Sequence, residues 1–256
     1  MTKMPTLVAL FFFWVAALAR ATTCAASIPD WVERRNPSAM FEVEYARNVA
    51  AVQRIDASSK PADVLVYGDS ITAWNKPMDL SKLPGSRKYF EQYFGDLVSE
   101  PLGIPGDEIK HLFWRIARGN ELPKRDPKHV IIFIGINDIM HGVPEGQVVS
   151  RMGELLSFVT RRLPTSKVLV QLLLPSHAKV PTVNKGYVKA AKKLKKNGKR
   201  VEFVDCLTDT VRGSDEWREL MVDQLHPSEL GQDALLRCWR RHVDSASTCR
   251  APKGPI

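Results

Sequence analysis

The sequence predicts an α/β domain: a parallel sheet with helices on both faces. Short apolar runs rich in β-branched residues alternate with segments whose apolar residues recur at helical spacing, the signature of βαβ units. Gly, Pro and Asp turn signals bound those runs, and no linker divides the chain after residue 62. At 256 residues, 44% hydrophobic and 25% charged, the chain suits one large domain with a substantial core and is too apolar for a disordered protein. Its 15 Gly and 17 Pro fall without period, which excludes collagen and solenoid repeats.

The N-terminus reads as a leader. After Met1 to Thr6, with Lys3, comes the unbroken apolar run Leu7 to Ala19, and Ala19-Arg20-Ala21 supplies the small residues of a signal-peptidase site. That run falls short of the roughly 20 residues a spanning helix needs. A signal peptide over 1–21 is therefore expected, with a secreted, secretory-pathway or periplasmic mature protein. A retained anchor is the alternative, since Cys24-Ala25-Ala26 offers a second cleavage point.

Residues 22–61 form a polar N-terminal extension, 62–245 the main domain and 246–256 a C-terminal tail. Ala62 to Tyr67 is a buried strand stopped by Gly68-Asp69-Ser70, and Val98 to Ile104 a weaker strand interrupted by Pro101. Ile109, Leu112, Phe113 and Ile116 have helical spacing, with Asp107 as expected N-cap and Gly119 as stop. His129 to Ile136 is the clearest strand, followed by a helix through Val148, Met152, Leu155, Leu156 and Val159. Lys167 to Leu174 is a strand, the basic segment with Tyr187, Ala190, Ala191 and Leu194 on one face a helix, and Arg200 to Asp205 a strand. The last helix is expected over Ser228 to Val243, its apolar stripe using Leu230, Ala234, Leu235 and Trp239.

Without Lys3 and Arg20 the chain keeps 35 basic and 28 acidic residues, a net +7. Lys185, Lys189, Lys192, Lys193, Lys195, Lys196, Lys199 and Arg200 supply eight positive charges with no acid among them, so the rest of the mature chain sums to −1. This single patch argues against nucleic acid, which would need basic residues spread over a groove-reading face. It reads as a solvated helix face, or as a weak attraction to anionic surfaces through Lys185, Lys189, Lys192, Lys193 and Lys196. Four cysteines without a zinc-site spacing allow three full pairings. A tie between the termini, a Cys238 to Cys249 bridge, and buried free thiols at Cys206 and Cys238 all fit.

Four segments could carry chemistry. Ser70 lies on a tight turn directly after a strand, with Gly68 permitting the turn. Asp223-Gln224-Leu225-His226 offers a base near neutral pH and a carboxylate to orient it, although the same pair also reads as a local Asx-type cap. Gly106 precedes an expected helix, and Asn137 closes the best strand. Their amides could hold negative charge developing on a carbonyl oxygen, or serve only as turn chemistry. In open sheets of this class ligands bind beyond the carboxyl ends of the strands, and Ser70, Gly106 and Asn137 all fall just after candidate strands.

Taken in order, VYGDSIT at 66–72, GIPGD at 103–107, IGIND at 134–138 and DQLHPSELG at 223–231 resemble the blocks of the SGNH hydrolases, also called GDSL-like esterases and lipases. The resemblance covers about Ala62 to Val243. It implies a flavodoxin-like, three-layer α/β/α fold with about five parallel strands, and a catalytic set of Ser70 as nucleophile, His226 as base and Asp223 as orienting acid. It also implies an oxyanion hole from Ser70, Gly106 and Asn137, and no metal or organic cofactor. Within the family, residues 103–116 look most like the catalytic subunits of intracellular platelet-activating-factor acetylhydrolase, except that Pro105 replaces a glycine, which would re-aim the Gly106 amide. Those enzymes are cytoplasmic, whereas this chain carries an expected leader.

The expectation is a secreted serine esterase for short acyl groups, since no long insertion would form a lid. An acyltransferase with the same triad, or a silent module holding an anionic surface, is the alternative. On the helix after Gly106, His111 and Trp114 read as packing residues. His141 reads as an exposed loop residue or a pocket wall, and Trp74 as site wall or core.

Overall fold

Strand β1 (Val64–Gly68) lies between β2 (Ser99–Gly103) and β3 (His129–Phe133), with β4 (Lys167–Gln171) and β5 (Val201–Val204) beyond β3. The computed structural model describes residues 27–76, 87–210 and 212–245. The expected leader, Cys24, Cys249 and the C-terminal tail lie outside the described residues. All pairings are parallel, in the order β2-β1-β3-β4-β5. Every residue of β1 and β3 is buried, as in a strand covered on both faces, which is why these runs are continuously apolar. Pro101 is accommodated because β2 is an edge strand, where a missing N–H can face the unpaired side.

The helices among the described residues are α1 (Ala39–Ala57), α2 (Ser70–Ala73), α3 (Arg87–Phe94), α4 (Ile109–Ala117), α5 (Ile136–Met140), α6 (Glu145–Arg162), α7 (Val180–Lys196), α8 (Asp215–Leu220) and α9 (Glu229–Ser245). The chain moves from β1 to β2 in one direction and then to β3, β4 and β5 in the other, so right-handed crossovers place helices on opposite faces. Helix α3 packs with α9, while α4, α6 and α7 pack in succession. The three-layer α/β/α architecture with five parallel strands is the one expected. Ser70, Gly106 and Asn137 follow β1, β2 and β3, at the point where the strand order reverses.

Helix α1 has no counterpart in the sequence reading, and its inward face explains why. Glu44 and Asn48 are buried there among Phe41, Val52 and Ile55, so the apolar period is broken. Glu44 meets the buried Lys76 ammonium at 2.9 Å, and Lys76 also donates to the Gly103 carbonyl at 2.6 Å. The extension is thereby tied to the chain after Ser70 and to the end of β2. Helix α7 buries Val183, Tyr187 and Ala191 and exposes its lysines, with Pro181 in its first turn.

Two expectations are corrected, and the pairing left open among the cysteines is fixed. Leu230 is 60% exposed, and Leu235, Leu236 and Trp239 carry the inward stripe of α9 instead. The N-cap of α4 is Glu108, whose amide donates to His111 Nδ1 at 3.1 Å, while Asp107 turns inward to Arg115. Cys206 and Cys238 are bonded to each other across 32 residues, joining the end of β5 to α9. A loop of that length is worth about 3–4 kcal/mol through the unfolded state.

Candidate active site

The turn after β1 is set by close packing. Gly68 has an ordinary φ, but a Cβ there would collide with Thr72 Oγ1 and the Phe133 carbonyl oxygen. Asp69, fully buried, accepts from the Ile71 amide at 3.1 Å and starts α2, which places Ser70 at the head of that short turn. Burial pushes the Asp69 carboxyl up to about 7, with Asp107 and Asp138 adding to the rise and amide hydrogen bonds opposing it.

The Asp223–His226 segment is pinched by an isolated bridge between Met221 and Pro227 and by the Val222 amide donating to the His226 carbonyl at 2.9 Å. Asp223 Oδ1 accepts from the amides of Leu225 and His226, both at 2.6 Å, which is the Asx-type turn. Asp223 Oδ2 is left for the ring and lies 2.8 Å from His226 Nδ1. The capping and orienting readings of this pair therefore both hold, one carboxylate oxygen for each. Burial alone would raise the Asp223 pKa, but the bonds from the ring and the two amides outweigh it and hold the carboxyl below its ordinary value. An ionised carboxylate only accepts, so Nδ1 donates to Asp223, and Nε2 faces Ser70 Oγ, 3.0 Å away. Trp74 stacks on the His226 ring, so it walls the site.

Around Gly106 and Asn137 the loops after β2 and β3 are stitched together. Gly106 has φ +79°, and among the described residues its N–H makes no hydrogen bond. Asn137 Nδ2 donates to the Asp107 carbonyl at 2.9 Å, which orients the amide and uses one of its two N–H groups. Asp138 accepts from the Ile109 amide at 2.9 Å and so anchors the start of α4, and burial raises its carboxyl to about 6. Glu108 reaches His141 Nδ1 at 3.0 Å, and the His141 side chain is 58% exposed, the loop-residue alternative. His111 is buried, which pushes its ring down to about 4 and suits it to accept from the Glu108 amide. Trp114 packs against Tyr45 of α1.

Sequence reasoning missed the support beneath this loop. Arg115 is fully buried; it donates to Asp107 Oδ2 at 2.7 Å, to the Leu102 carbonyl at 3.0 Å and to the Gly68 carbonyl at 3.0 Å, and pairs with Glu121. One guanidinium thus joins the ends of β1 and β2 to the Gly106 loop. The only sequence signal was an arginine inside an apolar helical stripe. Among the described residues, the one His, Cys and carboxylate group close enough for a metal is Cys206, Cys238 and His242, and its sulfurs form the disulfide, leaving no thiolate to ligate.

The chain resembles known proteins over this same region. It is 30% identical over 120 residues to platelet-activating factor acetylhydrolase IB subunit alpha1 of Bos taurus, covering 47% of each chain. It therefore spans about half the length of the curated relatives it matches. Among solved structures it resembles a GDSL-like lipase of Bacteroides thetaiotaomicron, with TM-score 0.55, 16% identity, and 79% of this chain and 99% of that one covered. A family 3 carbohydrate esterase of Clostridium thermocellum gives TM-score 0.55 at 17% identity, covering 73% and 99%. These likenesses show the shared fold. The GDSL-like lipase/acylhydrolase family model matches residues 66–234, well over half of the sequence, and the chain belongs to that family.

Proposed function

We propose that this protein is a serine esterase that hydrolyses carboxylic esters with short acyl groups. The observation that carries the reading is the continuous row Ser70 Oγ, His226 Nε2, His226 Nδ1, Asp223 Oδ2, with spacings of 3.0 and 2.8 Å across the ring. Ser70 Oγ attacks the ester carbonyl carbon while His226 Nε2 takes its proton, and Asp223 stabilises the imidazolium. The carbonyl oxygen, now negative, is held by the amides of Ser70 and Gly106 and the second N–H of Asn137. Collapse breaks the ester C–O bond, and His226 gives its proton to the leaving alcohol. Water, deprotonated by His226, then releases the acyl group from Ser70. Hydrolysis of p-nitrophenyl acetate, butyrate and octanoate tests this, with Ser70→Ala as control. Turnover that falls with acyl length and vanishes in Ser70→Ala supports the reading; turnover untouched by Ser70→Ala overturns it.

We also propose that the mature protein is exported, a reading supported by the leader-like N-terminus and by the Cys206–Cys238 bond, which an oxidising compartment favours. Lys185, Lys189, Lys192, Lys193 and Lys196 are all exposed on α7, which supports weak attraction to anionic surfaces. Lys195 is partly neutralised by Glu202 at 2.9 Å. Salt-sensitive binding to phosphatidylserine vesicles that is lost in a Lys189→Glu, Lys193→Glu variant supports this. Binding that the variant retains contradicts it.

A further inference from the structure

We infer that Arg35, in the extension before α1, is a positioning residue for the oxyanion hole, holding the Pro105–Gly106 peptide so that the Gly106 N–H faces the reacting carbonyl. The inference rests on the esterase reading above.

Arg35 lies 70 residues from the loop it touches, and its NH1 donates to the Pro105 carbonyl oxygen. A trans peptide is planar, with its C=O and N–H directed oppositely. The carbonyl that Arg35 grips therefore belongs to the same plane as the Gly106 N–H, and fixing one end fixes the other. Because the donor is charged, the bond also polarises the peptide and strengthens the opposite N–H as a donor. Arg35 NH1 is 3.6 Å from Asp107 Oδ1, so the guanidinium spans the residues on both sides of Gly106.

Gly106 is matched to this clamp. Its φ of +79° disfavours any side chain, and a Cβ there would lie 2.8 Å from Arg35 NH2 and 3.2 Å from its Cζ. The guanidinium thus covers the face of Gly106 from which a side chain would project, and among the described residues the Gly106 N–H makes no hydrogen bond. Pro105 removes the backbone freedom a glycine would give at that position, and the clamp selects the orientation of the peptide that follows. The Arg35 side chain is 25% exposed, so the contact is made at the edge of the site rather than in the core.

The test is steady-state hydrolysis of p-nitrophenyl acetate by the full chain and its Arg35→Met, Arg35→Lys and Ser70→Ala variants, with thermal melting measured on each. The inference predicts that Arg35→Met lowers kcat about 10- to 100-fold with KM within about twofold, the pattern of a lost transition-state interaction. Arg35→Lys, which retains a charged donor, is predicted to recover at least about a third of the wild-type rate. An Arg35→Met rate within twofold of wild type overturns the inference while leaving the esterase reading intact. So does a loss that appears in KM alone, or one that Arg35→Lys does not restore while still folding. A rate unaffected by Ser70→Ala overturns the esterase reading, and this inference with it.

Discussion

Trp74 lies flat on His226, with ring centroids 4.5 Å apart and planes 16° from parallel. The same short turn that presents Ser70 also carries Trp74, whose amide donates to the Ser70 carbonyl at 3.0 Å. Ser70 and the surface against which the His226 ring rests are thus carried by one short turn. Replacing Trp74 with Ala should free the imidazole to tilt, lowering kcat by about 10- to 100-fold, since small misalignments at a reacting centre are costly. Trp74→Phe should keep most of the rate. Comparable kcat values for Trp74→Ala and wild type would contradict a positioning role.

Asn137 should act on the transition state. With one N–H committed to the Asp107 carbonyl, the other can reach a developing oxyanion, so Asn137→Ala should cut kcat by about 10² to 10³. A change confined to KM would contradict that role.

Arg115 should be required for stability. Removing it as Arg115→Met leaves Asp107 and Glu121 buried without their shared cation, a loss expected to cost about 3–5 kcal/mol. Urea unfolding of the variant measures this directly, and a difference below about 1 kcal/mol would contradict the account.

Asp69 should make stability depend on pH. Burial pushes its folded carboxyl up to about 7 from the ordinary 3.8, so between these values the folded state holds a proton the unfolded state has lost. Stability from this group therefore falls as pH rises through that window and levels off above it. Asn has no such proton, so the melting temperature of Asp69→Asn relative to wild type should climb from about pH 4 to about pH 7 and then stay flat. A gap independent of pH would contradict the raised value.

The legible parts of the sequence share a physical cause. The residues of β1 and β3 are covered on both faces, so burial writes itself as unbroken apolar runs that no neighbour can disguise. Ser70 and Asn137 were legible because each follows such a strand, whereas Gly106 follows the edge strand β2, a weaker signal broken by Pro101. Asp223 and His226 were legible as a pair because three residues separate them, although their link to Ser70 spans 156 residues and came from the order of the blocks. What stayed hidden depends on pairing between distant polar groups. Helix α1 buries Glu44 and Asn48 against Lys76 and Glu121, and Arg35 reaches a loop across a separation that leaves no periodic trace. Cys206 and Cys238 were likewise open to several pairings until the end of β5 and α9 were brought together.

The central claim is that Ser70 is a nucleophile activated by His226. The most direct test is to treat the full chain with ethyl p-nitrophenyl phosphonate, whose adduct mimics the tetrahedral intermediate, and to map the modified peptide by mass spectrometry. Activation of Ser70 by His226 predicts a single adduct on Ser70 that forms in the wild type and is lost in His226→Ala. An adduct on another residue, or equal labelling of Ser70 without His226, would contradict it.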